Sequence, residues 1–146
     1  MVRMIQSGKF RFGCLILAVL ALATCPAAAE PVDVVTQDGA KIASLSREQV
    51  ADLFLGKARI VFEGLELTPL EVNDEPLREV FYQGVAGMSA MRVNAYWARL
   101  VFTSQGRPPR KLNLSDAERL VRSRPGFVTY VPSDDSNGFR ILLTVH

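Results

Sequence analysis

Apolar positions recur at helical spacing between Pro76 and Thr103 for longer than elsewhere in the chain, and the sole tryptophan lies there. Leu77, Val80, Phe81, Gly84 and Val85 fall at i, i+3, i+4, i+7 and i+8, one stripe of a helix that leaves Arg78 and Glu79 facing outward. Gly84 and Gly87 are expected to break it. A second helix starts at Ser89, a good N-cap, with Met91, Ala95, Ala98 and Phe102 on one seam and Val93, Trp97, Leu100 and Val101 widening it. Only Arg92, Asn94 and Arg99 clearly favour water, so this helix is expected between layers, with the other elements built around it. Tyr96 and Trp97 read as core packing rather than ligand stacking.

The flanking pattern predicts strands alternating with helices. Val32, Val34 and Val35 make a β-branched run over Pro31–Thr36, a buried first strand that ends in the Gln37-Asp38-Gly39 turn. Ser46 and Gln49 form a capping box for a helix burying Val50, Leu53 and Phe54, with Leu45 and Val50 as its hydrophobic staple and Gly56 as its C-terminal cap. A short strand is expected over Ile60–Phe62. Leu65–Val72 alternates and then shifts phase, and Pro69 makes it an edge or bulged strand. Ser104–Asn113 reads as a polar loop. Ser115 and Glu118 suggest a second capping box, for a short helix burying Ala117, Leu120 and Val121. Phe127–Val131 and Phe139–Val145 then close the chain, close enough in sequence for an antiparallel hairpin. The predicted class is α/β, a small mixed sheet covered by helices.

The first 29 residues change the charge balance and place the protein. Arg3, Lys9 and Arg11 precede the apolar run Cys14–Ala23, and Ala27 and Ala29 supply a small-residue cleavage site before Glu30. This predicts a secretory signal over residues 1–29, a periplasmic location, and a mature domain over 30–146 with no membrane span. Leu22-Ala23-Thr24-Cys25 also resembles a lipoprotein box, so lipidation at Cys25 is the alternative. The leader holds three of the 17 basic residues, which leaves 14 against 15 acidic ones and a mature net charge of about −1. Nothing in that balance calls for nucleic acid. Both cysteines precede Glu30, so the mature domain must be held by an apolar core.

Catalytic chemistry is poorly supplied. With no cysteine after the leader and one histidine, the terminal His146, nucleophile–base pairs and zinc sites lack their residues; no catalytic residue, metal ligand or cofactor is predicted, and the chain reads as a non-enzyme. The Asp74-Glu75 and Asp134-Asp135 pairs read as cap and turn residues. Arg107, Arg110, Lys111, Arg119, Arg122 and Arg124 face only Asp116 and Glu118 across one span, a candidate surface for an acidic partner.

Ser44-Leu45-Ser46, the turn Leu53–Lys57, the run Leu77–Tyr82, the helix Tyr96–Phe102 and the strand Arg124–Val131 together resemble the short phosphate-binding-protein-like domains of exported bacterial proteins. These are similar to one lobe of the type II solute receptors that serve ATP-driven phosphate uptake. The resemblance implies a single-lobe fold and a non-enzymatic module that binds phosphate or another small anion, linked to uptake or sensing. It implies ligand contacts from Ser44 and Ser46 at one helix start, and from Asn73 and Arg78 at another. The second of these turns reads Asn73-Asp74-Glu75-Pro76, without glycine or hydroxyl, so its carboxylates are expected to cap the helix themselves. The alternative is a module that has lost small-ligand binding and recognises a periplasmic or membrane protein through the Arg107–Lys111 loop and the exposed part of the Tyr96 helix.

Overall fold

The computed structural model describes residues 29–146. The signal peptide and the lipidation alternative at Cys25 fall on residues outside that range, except for Ala29 at the leader's end. Among the described residues no helix is long and apolar enough to cross a membrane.

A five-stranded mixed sheet forms the centre, in the order β5-β4-β6-β1-β7. Strand β1 (Val32–Gln37) is the valine-rich run, buried along nearly its whole length. Its two buried polar side chains are satisfied: Asp33 accepts from the Thr144 hydroxyl at 2.7 Å, and Thr36 donates to the Phe127 carbonyl at 2.9 Å. Strands β6 (Phe127–Pro132) and β7 (Phe139–Val145) do not form the expected hairpin. Each pairs antiparallel with β1, which lies between them. An apolar strand this deeply buried needs backbone partners on both edges, and the Ser133–Gly138 connection is long enough to carry the chain back along β1.

Chain 61–72 splits into a small hairpin, β2 (Val61–Phe62) with β3 (Leu65–Glu66), and a sheet strand β4 (Thr68–Val72). Strand β4 is not an edge strand, because β5 (Arg110–Leu112) pairs with it in parallel where a polar loop was expected. Pro69 is nevertheless in an edge-like position: β5 begins its pairing only at Leu70. Further along, Thr129 donates to the Leu70 carbonyl at 3.1 Å, and the Val72 amide donates to the Tyr130 hydroxyl at 3.4 Å.

Helix α1 (Arg47–Phe54) has the capping box its sequence predicts, the Gln49 amide donating to Ser46 Oγ at 3.1 Å and the Ser46 amide to Gln49 Oε1 at 2.8 Å. Helix α2 (Glu75–Ala86) runs through Gly84 and ends at Gly87, whose left-handed φ of 62° is the glycine cap. Gly84 is therefore no breaker. A Cβ built there would fall on Cγ1 of Val145, so the missing side chain lets α2 lie against β7. Helix α3 (Ala90–Phe102) packs on α2 at the side of the domain and not between layers. Val93 and Trp97 face inward, while Met91 and Phe102, on the expected seam, are 78% and 91% exposed. An apolar stripe around most of a helix leaves the choice of face to packing, and the bulkier side took the core. Helix α4 (Leu114–Ser123) is capped by Asn113, which accepts from the Asp116 amide at 2.8 Å; Ser115 donates to Asn113 instead of capping.

Helices α1 and α2 cover one face of the sheet around Phe54, Phe81, Tyr82 and Tyr130, with the Phe81 and Tyr130 rings stacked at 4.0 Å. On the other face α4 packs Val121 against Val35, Leu70 and Val131. Gly84→Ala should destabilise the domain by about 1 to 3 kcal/mol through overpacking. Combined with Val145→Ala it should cost less than the two single losses added, read as urea midpoints in a double-mutant cycle.

Candidate functional site

Alternation along β4 sends Leu70 to the α4 face and Glu71 to the α2 face, where it is buried. There the Arg78 guanidinium donates through Nε to Glu71 Oε1, and the Tyr82 hydroxyl donates to Oε2 at 2.7 Å. Arg78 also donates to Asn94 Oδ1 of α3 at 2.8 Å and to Glu75 Oε2 at 3.3 Å. Lys111 of β5 reaches the other Glu75 oxygen at 3.2 Å. Arg78 is thus buried, against the expectation that it faces outward: residues 78, 81, 82 and 85 form the inward stripe, with Leu77 and Val80 at its margin. An arginine can be placed there because a carboxylate meets it. Burial opposes the Arg78 charge, but the hydrogen bond and charge of Glu71 outweigh it and raise its pKa. Burial, reinforced by the Glu71 charge, pushes the Tyr82 and Tyr130 phenols well above their ordinary value.

The remaining predicted residues lie at two separate helix starts. Ser46 caps α1, and Ser44 is exposed on the loop before it, where the Leu45 amide donates to the Leu142 carbonyl at 3.0 Å along the outer edge of β7. Asn73 is exposed at the end of β4, its amide donating to the Leu112 carbonyl at 2.7 Å. Asp74 caps α2, accepting from the Leu77 amide at 3.0 Å. Among the described residues no hydrogen bond links Ser44 or Ser46 to Asn73 or Arg78.

Beside this centre a groove runs under the Gly106–Arg110 loop. Its larger part, about 370 Å³, lies over Leu53, Leu67 and Phe127, with Arg59, Arg107 and Arg110 around it. Its smaller part, about 220 Å³, is bounded by Arg78, Asn94 and Lys111. Trp97, Pro108 and Pro109 line both. The basic cluster predicted as one surface is divided by the fold. Arg122 donates to the carbonyls of Asn137 and Gly138 and lies over the Phe139 ring, and Arg119 pairs with Asp116 at 2.9 Å. Arg107 and Arg110 have no carboxylate partner among the described residues.

No family model matches the chain, and no curated protein matches it. A solved structure does: one from Clostridium perfringens, described as a phosphate ABC transporter substrate-binding protein with bound phosphate, superposes with a TM-score of 0.59 at 13% identity. The match covers 77% of this chain and 44% of that one, so this chain spans less than half the length of its structural neighbour. The likeness shows the fold: a mixed α/β domain corresponding to one lobe of a periplasmic binding protein.

Sequence pattern singled out Arg78 but missed Glu71, Tyr82, Asn94 and Tyr130 as its surroundings. One signal was present, a glutamate between Leu70 and Val72 in an otherwise apolar strand end. Glu71→Leu should cost about 3 to 5 kcal/mol in urea unfolding by stranding Arg78, and Glu71→Leu with Arg78→Met should recover most of the loss. The Glu75 pKa is lowered, chiefly by the Lys111 hydrogen bond against the opposing effect of burial, with the Arg78 charge adding to it. A depressed carboxylate contributes stability above its unfolded value of about 4.3, lost as pH falls through the folded value. The thermal midpoint should therefore drop on acidification below about pH 4, and the drop should be smaller in Glu75→Gln.

Proposed function

We propose that the chain is an exported, non-enzymatic solute-binding-like module, serving uptake or sensing in the periplasm, whose own carboxylates fill the anion seat at the start of α2. The neighbour's bound phosphate supports a small anion as the ligand class. Ser44, Ser46, Asn73 and Arg78 remain the proposed contacts of such an anion, with Ser46 and Arg78 available only by giving up present bonds. One observation carries the weak-phosphate reading: Asp74 already accepts the Leu77 amide, while Glu71 and Glu75 take the Arg78 guanidinium. A helix N-terminus attracts an anion through free amides and its dipole, and a resident carboxylate offsets both.

A second reading is favoured by α3, whose outward face carries Met91, Val101 and Phe102 in the open. Such a face fits recognition of a periplasmic or membrane protein, with the adjoining Arg107–Arg110 loop supplying charge.

Calorimetric titration at low salt tests the first reading. Wild-type protein should bind inorganic phosphate weakly, with a dissociation constant above about 1 mM. Asp74→Ser with Glu75→Gly should bind it more tightly while melting lower, since it weakens the cap and loses the Lys111 contact. Tight wild-type binding abolished by Arg78→Ala would mean that the turn still seats phosphate.

A further inference from the structure

We infer that the groove beneath the Gly106–Arg110 loop is a binding site for a small amphipathic carboxylate, an organic acid with an apolar body. This deepens the solute-binding reading above by naming a site and a ligand class away from the start of α2.

The wall of this groove is Trp97. It is 94% buried, as its 6% exposure states, yet its indole Nε1 has no hydrogen-bond partner. Nε1 is itself closed to solvent, so a ligand in the groove would meet the indole ring and not this donor. Its ring is also held in place. A Cβ on Gly56, a residue with φ of 66°, would come within 2.9 Å of Trp97 Cη2, and one on Gly106 within 3.5 Å of Cζ3. The glycines therefore let the turn after α1 and the loop after α3 close on the benzo end of the indole. Tyr96, the preceding residue, donates to the Leu55 carbonyl at 2.8 Å and ties α3 to that same turn. Trp97 is thus a fixed wall shared by both parts of the groove.

The rest of the lining selects the ligand. Leu53, Leu67 and Phe127 give the larger part an apolar floor, which an inorganic anion would leave wetted. Arg107 and Arg110 bring unpaired positive charge to it, which a neutral hydrophobe would leave unmatched. Arg59 is already engaged by Glu66, in two bonds of 2.6 and 2.8 Å. A carboxylate joined to an apolar body satisfies floor and cations together. Its bidentate geometry suits arginine. The larger part, about 370 Å³, is of the size that accommodates small ligands.

The sole tryptophan makes the test direct. Trp97 emission would be followed while phenylacetate, benzoate or hexanoate is titrated into the purified protein, with acetate, phenylacetamide and inorganic phosphate as controls. At least one of the three acids should give a saturable change with a dissociation constant below about 1 mM, and each control should bind about tenfold more weakly or not at all. Arg110→Gln should weaken that acid about tenfold, whereas Arg119→Gln, at a base outside the groove, should not. Saturation by none of the acids, or full affinity in Arg110→Gln, would overturn the assignment. Phosphate behaviour separates the two readings: weak phosphate binding with no acid bound refutes the groove alone, whereas tight phosphate binding dependent on Arg78 refutes the reading of the α2 turn.

Discussion

The buried ion pair between Glu71 and Arg78 is the constraint that fixes the relation of strand to helix on one side of the sheet. Taking two charges out of water costs several kcal/mol per ion, recovered only when the geometry is good and the remaining donors and acceptors are met. Here they are met from three elements. Tyr82 lies on the helix that carries Arg78, Asn94 comes from the next helix, and Lys111 on the edge strand holds Glu75. Rotation of α2 about its axis, displacement of α3 or slippage of β5 would each leave a polar group without its partner. The pair therefore specifies one arrangement among the several that apolar packing alone would tolerate.

The same pair shapes what the domain can bind. A guanidinium next to a helix start would ordinarily be a good anion contact, but this one has its charge matched from below by Glu71 and from the side by Glu75. With Asp74 on the Leu77 amide and no amide hydrogen at Pro76, little of the donor set at this helix start is left for a ligand. Charge without a carboxylate partner among the described residues lies instead at Arg107 and Arg110, on the loop that roofs the Trp97 groove. The fold resembles one lobe of a phosphate-binding receptor, while the distribution of satisfied and unsatisfied groups directs attention to a different part of its surface.

Local chemistry was legible wherever a few neighbouring residues decide the outcome. The valine-rich first strand, the Ser46–Gln49 box, the Asp74 cap, the glycine ends at Gly56 and Gly87 and the final strand Phe139–Val145 all occur where the pattern puts them. Short-range geometry fixes the caps and glycine ends, and runs of β-branched and apolar residues mark the strands before their partners are known. The candidate site was only half legible: Arg78 stood out as a charge at a helix start, but its partner Glu71 and its inward direction did not.

Tertiary structure decided the rest, in each case because the deciding partner lies far away in sequence. Gly84 looks like a breaker until Val145 is set against it, where the absent side chain becomes the condition for contact. Strands β6 and β7 look like a hairpin until β1 takes the place between them. Arg110–Leu112 has no strand pattern of its own and becomes one by pairing with β4. The outward turn of Met91 and Phe102 follows from the competing claim of Trp97 on the space beside Gly56. Sequence by itself determined most of the elements, several of their caps and the class of fold, because these depend on spacing within a turn or two. Which charges are spent, which donor is left over and which apolar face meets water depend on packing between elements, and only the folded chain brings those groups together.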